Sequence, residues 1–358
     1  MIRPLERRDL PEVARLFQRV MRQAEVLDQA ETVAFFERTL LDHPWADPEI
    51  PSLVHIQDEG RIAGFLGSHV RRLLFDGQPI RAGYVGHLMA APDSRPRGMV
   101  GTLLLRRYLA GPQDASLTDT AGEPTRRMWE GLGGRLLPVR TIGWTRVFRP
   151  WELAADRLSN GLPTVARFVG RVSPVLDRAS ARTARGLLAT SPPAATSEPL
   201  TTEALLRELP TLLKGTRLRP AYDEPFVDWL FAELDRLGPG RRCVRRLVSD
   251  AEGTALGWYV YLLAPGGVSH VLELAAPGAS IEPVLVDLLH HARVSGSAAL
   301  HGRLEPSLPQ PLSGKRAPLT YRGGALAHSE RHDLLDALDA PDSLLTRMDG
   351  EWWSSPPD

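Results

Sequence analysis

The chain has 358 residues, 43% hydrophobic and 24% charged, with 43 basic side chains against 43 acidic ones. That length exceeds one ordinary domain, so two cores of about 150 residues with a connector are expected. Zero net charge argues against whole-protein attraction to nucleic acid, no run approaches the roughly 18 apolar residues of a membrane span, and the single cysteine, Cys243, excludes an intramolecular disulfide.

The start, MIRPLERRDL, is too charged for a signal peptide, and a soluble, cytoplasmic protein is expected. Asp9 precedes LPEVARLFQRVM, whose Leu10, Val13, Leu16, Phe17 and Val20 recur at helical spacing. The aspartate stands where an N-cap would, with Pro11 in the first turn. A second helix is predicted around Glu31 to Leu41. From Ser52 to Ala91 the pattern alternates with period two, broken by the turn signals DEG and DGQP, which predicts three hairpin-linked strands. Gly98 to Leu109 reads as a helix, ASLTDT as a strand, PTRRMWEGLGG as a helix stopped by Gly133 and Gly134, and VRTIGWTRVF as a closing strand or pair of strands.

The character changes between Trp151 and Pro199. Arg167, Arg171, Arg178, Arg182 and Arg185 fall on one helical stripe opposite an apolar one, and SPPAATSEP reads as a linker. The second half then repeats the first in outline. Helices EALLRELPTLLKG and FVDWLFAELDRL precede strands in RCVRRLVSDAEGTALGWYVYLL and GGVSHVLELAAP, followed by the helix EPVLVDLLHHAR and the strand SAALHGRLEP. Aligned on Pro92 and Pro277, LMAAPDSRPRGMVGTLLLRR and ELAAPGASIEPVLVDLLHHA match in pattern, which indicates a diverged internal duplication. Residues 1–150, a helical connector over 151–199 and residues 200–358 are the expected divisions.

A helix start leaves its first amides unpaired and carries partial positive charge, so the turn between His87–Ala91 and the helix from Gly98 is a candidate anion site. Arg95 and Arg97 can add charge-assisted hydrogen bonds, and Gly98 removes an obstructing side chain. A strand passing through Arg95-Pro96-Arg97-Gly98-Met99-Val100 into a helix, after a three-stranded meander and before strand, helix and strand, resembles the GNAT superfamily of acyl-CoA-dependent N-acyltransferases. Their signature is Arg/Gln-x-x-Gly-x-Gly/Ala. Val100 replaces the final small residue, and Gly101 follows one step later.

The resemblance implies an α/β (α+β) fold of two GNAT-like domains, each a mixed, mostly antiparallel twisted sheet flanked by helices. It places the pyrophosphate of acetyl-CoA, or another acyl-CoA, on Arg95, Pro96, Arg97, Gly98, Met99, Val100 and Gly101, with Thr102 beside it. The pantetheine arm would follow the backbone of Leu88, Met89 and Ala90, added to a sheet edge. Where the family often carries a glutamate base, this sequence has His87, expected to relay the proton of a small-molecule amine acceptor. Where the family often has an acidic tyrosine stands Trp129, expected beside the ligand although an indole donates no catalytic proton.

The second half lacks the arginines, puts Pro283 at the place of Gly98 and adds Glu282, so it is expected to be a degenerate copy. Its Glu273 lies one register from the place of His87. No metal is expected: His290-His291 and the pair His328, His332 lack a supporting ligand set. The tail LLTRMDGEWW either anchors Trp352 and Trp353 or covers the acceptor site. Rival readings are a transferase whose acyl or aminoacyl donor is an acidic carrier protein or tRNA docked on the 167–185 stripe, and a scaffold that binds acyl-CoA without turnover.

Overall fold

The computed structural model describes residues 1–22, 27–57, 60–94, 98–159, 173, 176–177, 190–237 and 240–354. The arginine stripe of the predicted connector and the turn residues Arg95, Pro96 and Arg97 lie outside the described residues. Among the described residues no helix is long and apolar enough to cross a membrane.

In chain order the strands are β1 (Ile2–Pro4), β2 (Leu53–Ile56), β3 (Ile62–Phe75), β4 (Gln78–Ala90), β5 (Ala115–Thr118), β6 (Arg135–Leu136), β7 (Ile142–Val147), β8 (Thr196–Pro199), β9 (Leu218–Pro220), β10 (Arg242–Ser249), β11 (Ala255–Leu263), β12 (Val268–Ala275), β13 (Ala299–Arg303), β14 (Leu319–Tyr321) and β15 (Leu326–His328). The helices are α1 (Leu10–Met21), α2 (Gln29–Phe36), α3 (Val100–Leu109), α4 (Glu123–Gly131), α5 (Pro150–Ser159), α6 (Thr202–Leu212), α7 (Glu224–Asp235), α8 (Ile281–Val294), α9 (Pro309–Leu312) and α10 (His332–Leu338).

The strands form two mixed sheets, each flanked by helices, in agreement with the expected fold class. The first runs β1-β2-β3-β4-β5-β15-β6, with β9 paired to the far end of β3. The second runs β14-β7-β13-β12-β11-β10-β8. In both the meander is antiparallel and one pair is parallel, β4 with β5 and β12 with β13.

The expected divisions at 150 and 199 are not those of the fold. One compact unit gathers Met1–Thr141, Thr216–Phe231 and Gly323–Asp358, and the other Ile142–Gly215 and Ala232–Arg322. Two strands account for much of this. β7, read as the closing strand of the first half, pairs antiparallel with β13 in the second sheet, and β15 from the second half pairs antiparallel with β5 in the first. Each unit thus completes its sheet with a strand from the opposite half of the sequence.

In the first unit, one face of β3 and β4 carries α1 and α2 on Phe17, Phe36, Phe65 and Met89. The other face carries α3 and α4 on Val85, Val100, Leu104 and Trp129. The β3–β4 hairpin closes through Asp76 and Gly77, both at positive φ (49° and 78°), the geometry that the DG turn signal calls for. Asp9 differs from its expected role. Its carboxylate does not cap α1 but accepts from Arg3 at 2.6 and 2.8 Å and from the Glu6 amide at 2.8 Å, tying the first strand to the helix start. The second predicted helix is α-helical to Phe36 and continues as a π turn over Glu37–Leu41.

Candidate active site

β4 pairs with β5 only over Ala82–Tyr84, opposite Ala115–Leu117. Past Tyr84 the two strands part. There β4 carries one extra residue: Gly86 faces Gly67 and Met89 faces Phe65, so His87 and Leu88 together oppose Leu66. His87 sits at φ 51°, left-handed backbone that a non-glycine residue occupies at a cost of order 1–3 kcal/mol. This bulge splays the fork and leaves the β5-facing edge of residues 85–90 without a ladder partner, an edge of the kind an extended pantetheine arm can join. β12 bulges at the corresponding place: Val271 and Glu273 face the adjacent residues Tyr261 and Val260, leaving Leu272, at the alignment position of His87, unopposed. Both strands thus share an irregularity at matching positions.

The face of the sheet under α1 and α2 carries an unusual set of buried polar groups. Arg71 of β3 is 1% exposed. It donates to the Asp349 carbonyl at 2.6 Å and the Val70 carbonyl at 2.9 Å, lies 3.0 Å from Nε2 of His43, and stands over the Phe226 ring. The Asp349 carboxylate accepts from Tyr222 at 2.7 Å and from the Thr346 amide at 3.0 Å. His69 is also buried, its Nε2 unpartnered. A Cβ built on Gly86 would lie 3.0 Å from that nitrogen and 3.4 Å from the Glu351 Cβ, so a bare glycine at the bulge lets these two residues approach β4.

Glu351 is the group that sequence reasoning missed. Its Oε1 accepts from the Thr118 hydroxyl at 2.5 Å, the Asp119 amide at 2.8 Å, and the Thr120 hydroxyl and amide at 3.0 and 3.2 Å. These donors lie at the end of β5, where the ladder with β4 has stopped. Its Oε2 is buried without a partner. Burial first, then the Asp119 carboxyl beside it, push the Glu351 acid well above the ordinary carboxyl range, opposed in part by the Thr118 and Asp119-amide donations. The tail that carries it is anchored by Arg140, which donates to the carbonyls of Leu338 and Leu345, and by the Trp353 indole, which donates to the Met348 carbonyl at 3.0 Å. Of the two expectations for the tail, anchoring is thus observed, and Glu351 comes with it to the fork. The sequence offered one faint signal, an acid set between Met348 and two tryptophans.

His87, expected on the strand before the turn, lies in the bulge of β4, and its surroundings are apolar. Its ring packs edge-on against Phe36 and Phe17, centroids 5.3 and 5.5 Å away, and its Nδ1 is buried without a partner. Burial, with a smaller push from Arg22, lowers its pKa to about 4. At neutral pH it is an uncharged and weak base, which counts against the relay role expected for it.

Leu88, Met89 and Ala90 follow on the splayed edge. At the helix start, Gly98 has φ 72° with nothing within 4 Å of the position of a Cβ, and no side chain caps α3. Val100 is fully buried, and a Cβ on Gly64 would come 2.4 Å from its Cγ1, so α3 begins pressed onto β3 with Gly101 and Thr102 half-exposed above. The start of α3, with Gly98 before it, is thus left without a side-chain cap, and an uncapped helix start favours anions. Trp129 does not belong to it. The ring is fully buried with Val100 and Leu104, leaving no face for a ligand, and its Nε1 has no partner. Burial of the α4 stripe places it in the core.

Residues 1–111 match the model of the acetyltransferase (GNAT) domain family. That stretch of the first unit is similar to a GNAT domain. Solved structures similar in fold include a conserved protein of Enterococcus faecalis V583 (TM-score 0.57, 13% identity, covering 92% of this chain and 72% of that one). A GCN5-related N-acetyltransferase from Anabaena variabilis gives 0.56 at 10% identity, with the same coverages. N-myristoyltransferase of Saccharomyces cerevisiae, with bound myristoyl-CoA, gives 0.53 at 10% identity, covering 96% of this chain and 84% of that one. No curated protein matches significantly. At these identities the structures speak for the fold alone. Among the described residues, no group of three or more His, Cys, Asp or Glu side chains is arranged to hold a metal.

Proposed function

We propose that the first unit is an N-acyltransferase that moves an acyl group, acetyl in the simplest case, from acyl-CoA to the amine of a small molecule. The observation that carries this reading is the fork: a bulged, unpaired β4 edge lies between an uncapped helix start and a buried carboxyl. In this reading the amides from Arg95 to Gly101, with Thr102, hold the pyrophosphate, and the backbone of Leu88 to Ala90 aligns the arm. Acyl-CoA, when bound, supplies an activated thioester whose thiolate departs readily. The amine nitrogen bonds to the acyl carbon, the C–S bond breaks with its electron pair leaving on sulfur, and the amine proton passes to the Glu351 carboxylate. The unpartnered Oε2 of Glu351 makes it the candidate base in this reading. His87, uncharged on the bulge, orients the amine.

Release of free thiol from acetyl-CoA across a panel of amines tests the reading. Turnover that Arg95→Ala/Arg97→Ala shifts to higher KM, and Glu351→Gln to lower kcat, is expected. Tight coenzyme binding without turnover on any amine would favour the scaffold reading instead. Turnover with carrier-bound but not CoA-bound acyl groups would favour a docked donor.

A further inference from the structure

One buried titratable group at the fork has no part in the mechanism above. His69 of β3 is 1% exposed and stands opposite Tyr84, the last residue of β4 that β5 holds. Its ring leans past that pair toward the bulge. A Cβ built on Gly86 would lie 3.0 Å from Nε2, 3.2 Å from Cδ2 and 3.4 Å from the Glu351 Cβ, so both side chains meet over one bare glycine. His69 Nε2 and Glu351 Oε2 are each buried without a partner. Glu351 itself bridges the two arms: its Oε1 is held by Thr118, Asp119 and Thr120 at the end of β5, and its Cβ lies over Gly86 of β4. An imidazole nitrogen and a carboxyl group thus converge at the root of the fork.

The groups around the ring set its charge. Burial, then the Arg71 guanidinium two residues along the strand, then His87 and His43, hold the His69 pKa well below its ordinary value. Across Gly86 it faces Glu351, which has the Asp119 carboxyl beside it. At neutral pH the ring is therefore uncharged, so it neither repels a cation nor strips a proton from an amine. It can still accept one hydrogen bond, and a buried acceptor left unmatched is costly. A neutral primary amine attacking the acyl carbon has two N–H groups to place. One proton passes to Glu351, and the other N–H needs an acceptor.

We propose that His69 is a specificity-determining residue of this transfer: its Nε2 accepts the amine N–H that Glu351 does not take, so that the two side chains seat the nitrogen between them. The assignment rests on the acyl-transfer reading, and it requires the ring proton on Nδ1, because Nε2 must carry the lone pair.

Nitrogen NMR on the full chain labelled at histidine, with His69→Gln to assign the signals, reads the tautomer. A lone pair on Nε2 is expected; a proton there overturns the proposal. Kinetics supply the second arm, with butylamine, benzylamine and ethanolamine each compared with its N-methyl counterpart, whose single N–H serves Glu351 alone. The parent should favour the primary amine by about tenfold or more in kcat/KM, the scale of one hydrogen bond. His69→Leu should lose that preference at unchanged KM for acetyl-CoA, and His69→Gln, whose amide oxygen can accept, should keep part of it. Equal preference in the parent and His69→Leu overturns the role of His69 and leaves the transfer reading standing. No turnover of any amine by the parent overturns the transfer reading and this inference with it. The tautomer, read on the parent, keeps the test decisive if the buried Leu variant does not fold.

Discussion

Glu351 holds a proton more tightly in the folded chain than it would unfolded. The sign of the linkage follows: its contribution to stability is greatest below the ordinary carboxyl pKa and is lost as pH rises from there through the raised folded value. Glu351→Gln removes that loss. The amide oxygen can still accept from Thr118, Asp119 and Thr120, and its NH₂ can donate to the neighbouring Asp119 carboxyl. We expect the variant to melt higher than the parent at neutral and alkaline pH while kcat falls by about 10²–10⁴, the range of a lost general base, with coenzyme affinity unchanged. Melting curves against pH, and kcat and KM measured separately, check both halves. The buried imidazoles act in the opposite sense. His43, His69 and His87 all have depressed pKa values, so stability present above about 6.5 is lost as pH falls through their lowered values, about 4 for His87. Replacing His87 with Asn, which tolerates the left-handed backbone, should flatten part of that acid loss and lower kcat less than Glu351→Gln does.

Among the elements, the approach of α3 to β3 decides where the anion turn sits. A methyl at Gly64 would meet Val100 at 2.4 Å, so Gly64→Ala must push the start of the helix outward, at a cost of about 1–3 kcal/mol for overpacking. The expected kinetic result is a raised KM for acyl-CoA with little change in kcat. Equal losses in both would show that the helix start does more than hold phosphate. These local features were legible because their causes are local. The DG turn, the period-two hairpin and the heptad-like face of α1 each follow from residues a few positions apart. Trp129 was misplaced for the same reason: a family pattern named its position in sequence, while the α4 stripe that buries it also needs Val100 and Leu104 from α3. The partner of β7 was illegible because an antiparallel strand does not announce in its own residues which edge it will join.

For the whole molecule, the expected division at residue 150 fails a physical test. A fragment 1–150 would lack β9, β15, α10 and the tail, leaving Arg71 without Asp349 and β5 with an open edge. Circular dichroism on that fragment should show no cooperative melt, in contrast to the full chain. A sharp transition there would refute the exchanged-strand arrangement. Glu351 escaped sequence reading at this scale too. Acids near a chain end are usually solvated, and only the return of residues 323–354 to the first sheet makes this one a core residue.

That return sets a clock on synthesis. Between Thr141, where the first stretch of the unit ends, and Leu326, where β15 begins, lie 184 residues, and at about 5–20 residues per second a ribosome needs roughly 10–40 s to deliver them. Throughout that interval the nascent β5 has no β15 to pair with, so its exposed edge is open to chaperones and to the same edge on neighbouring polysomes.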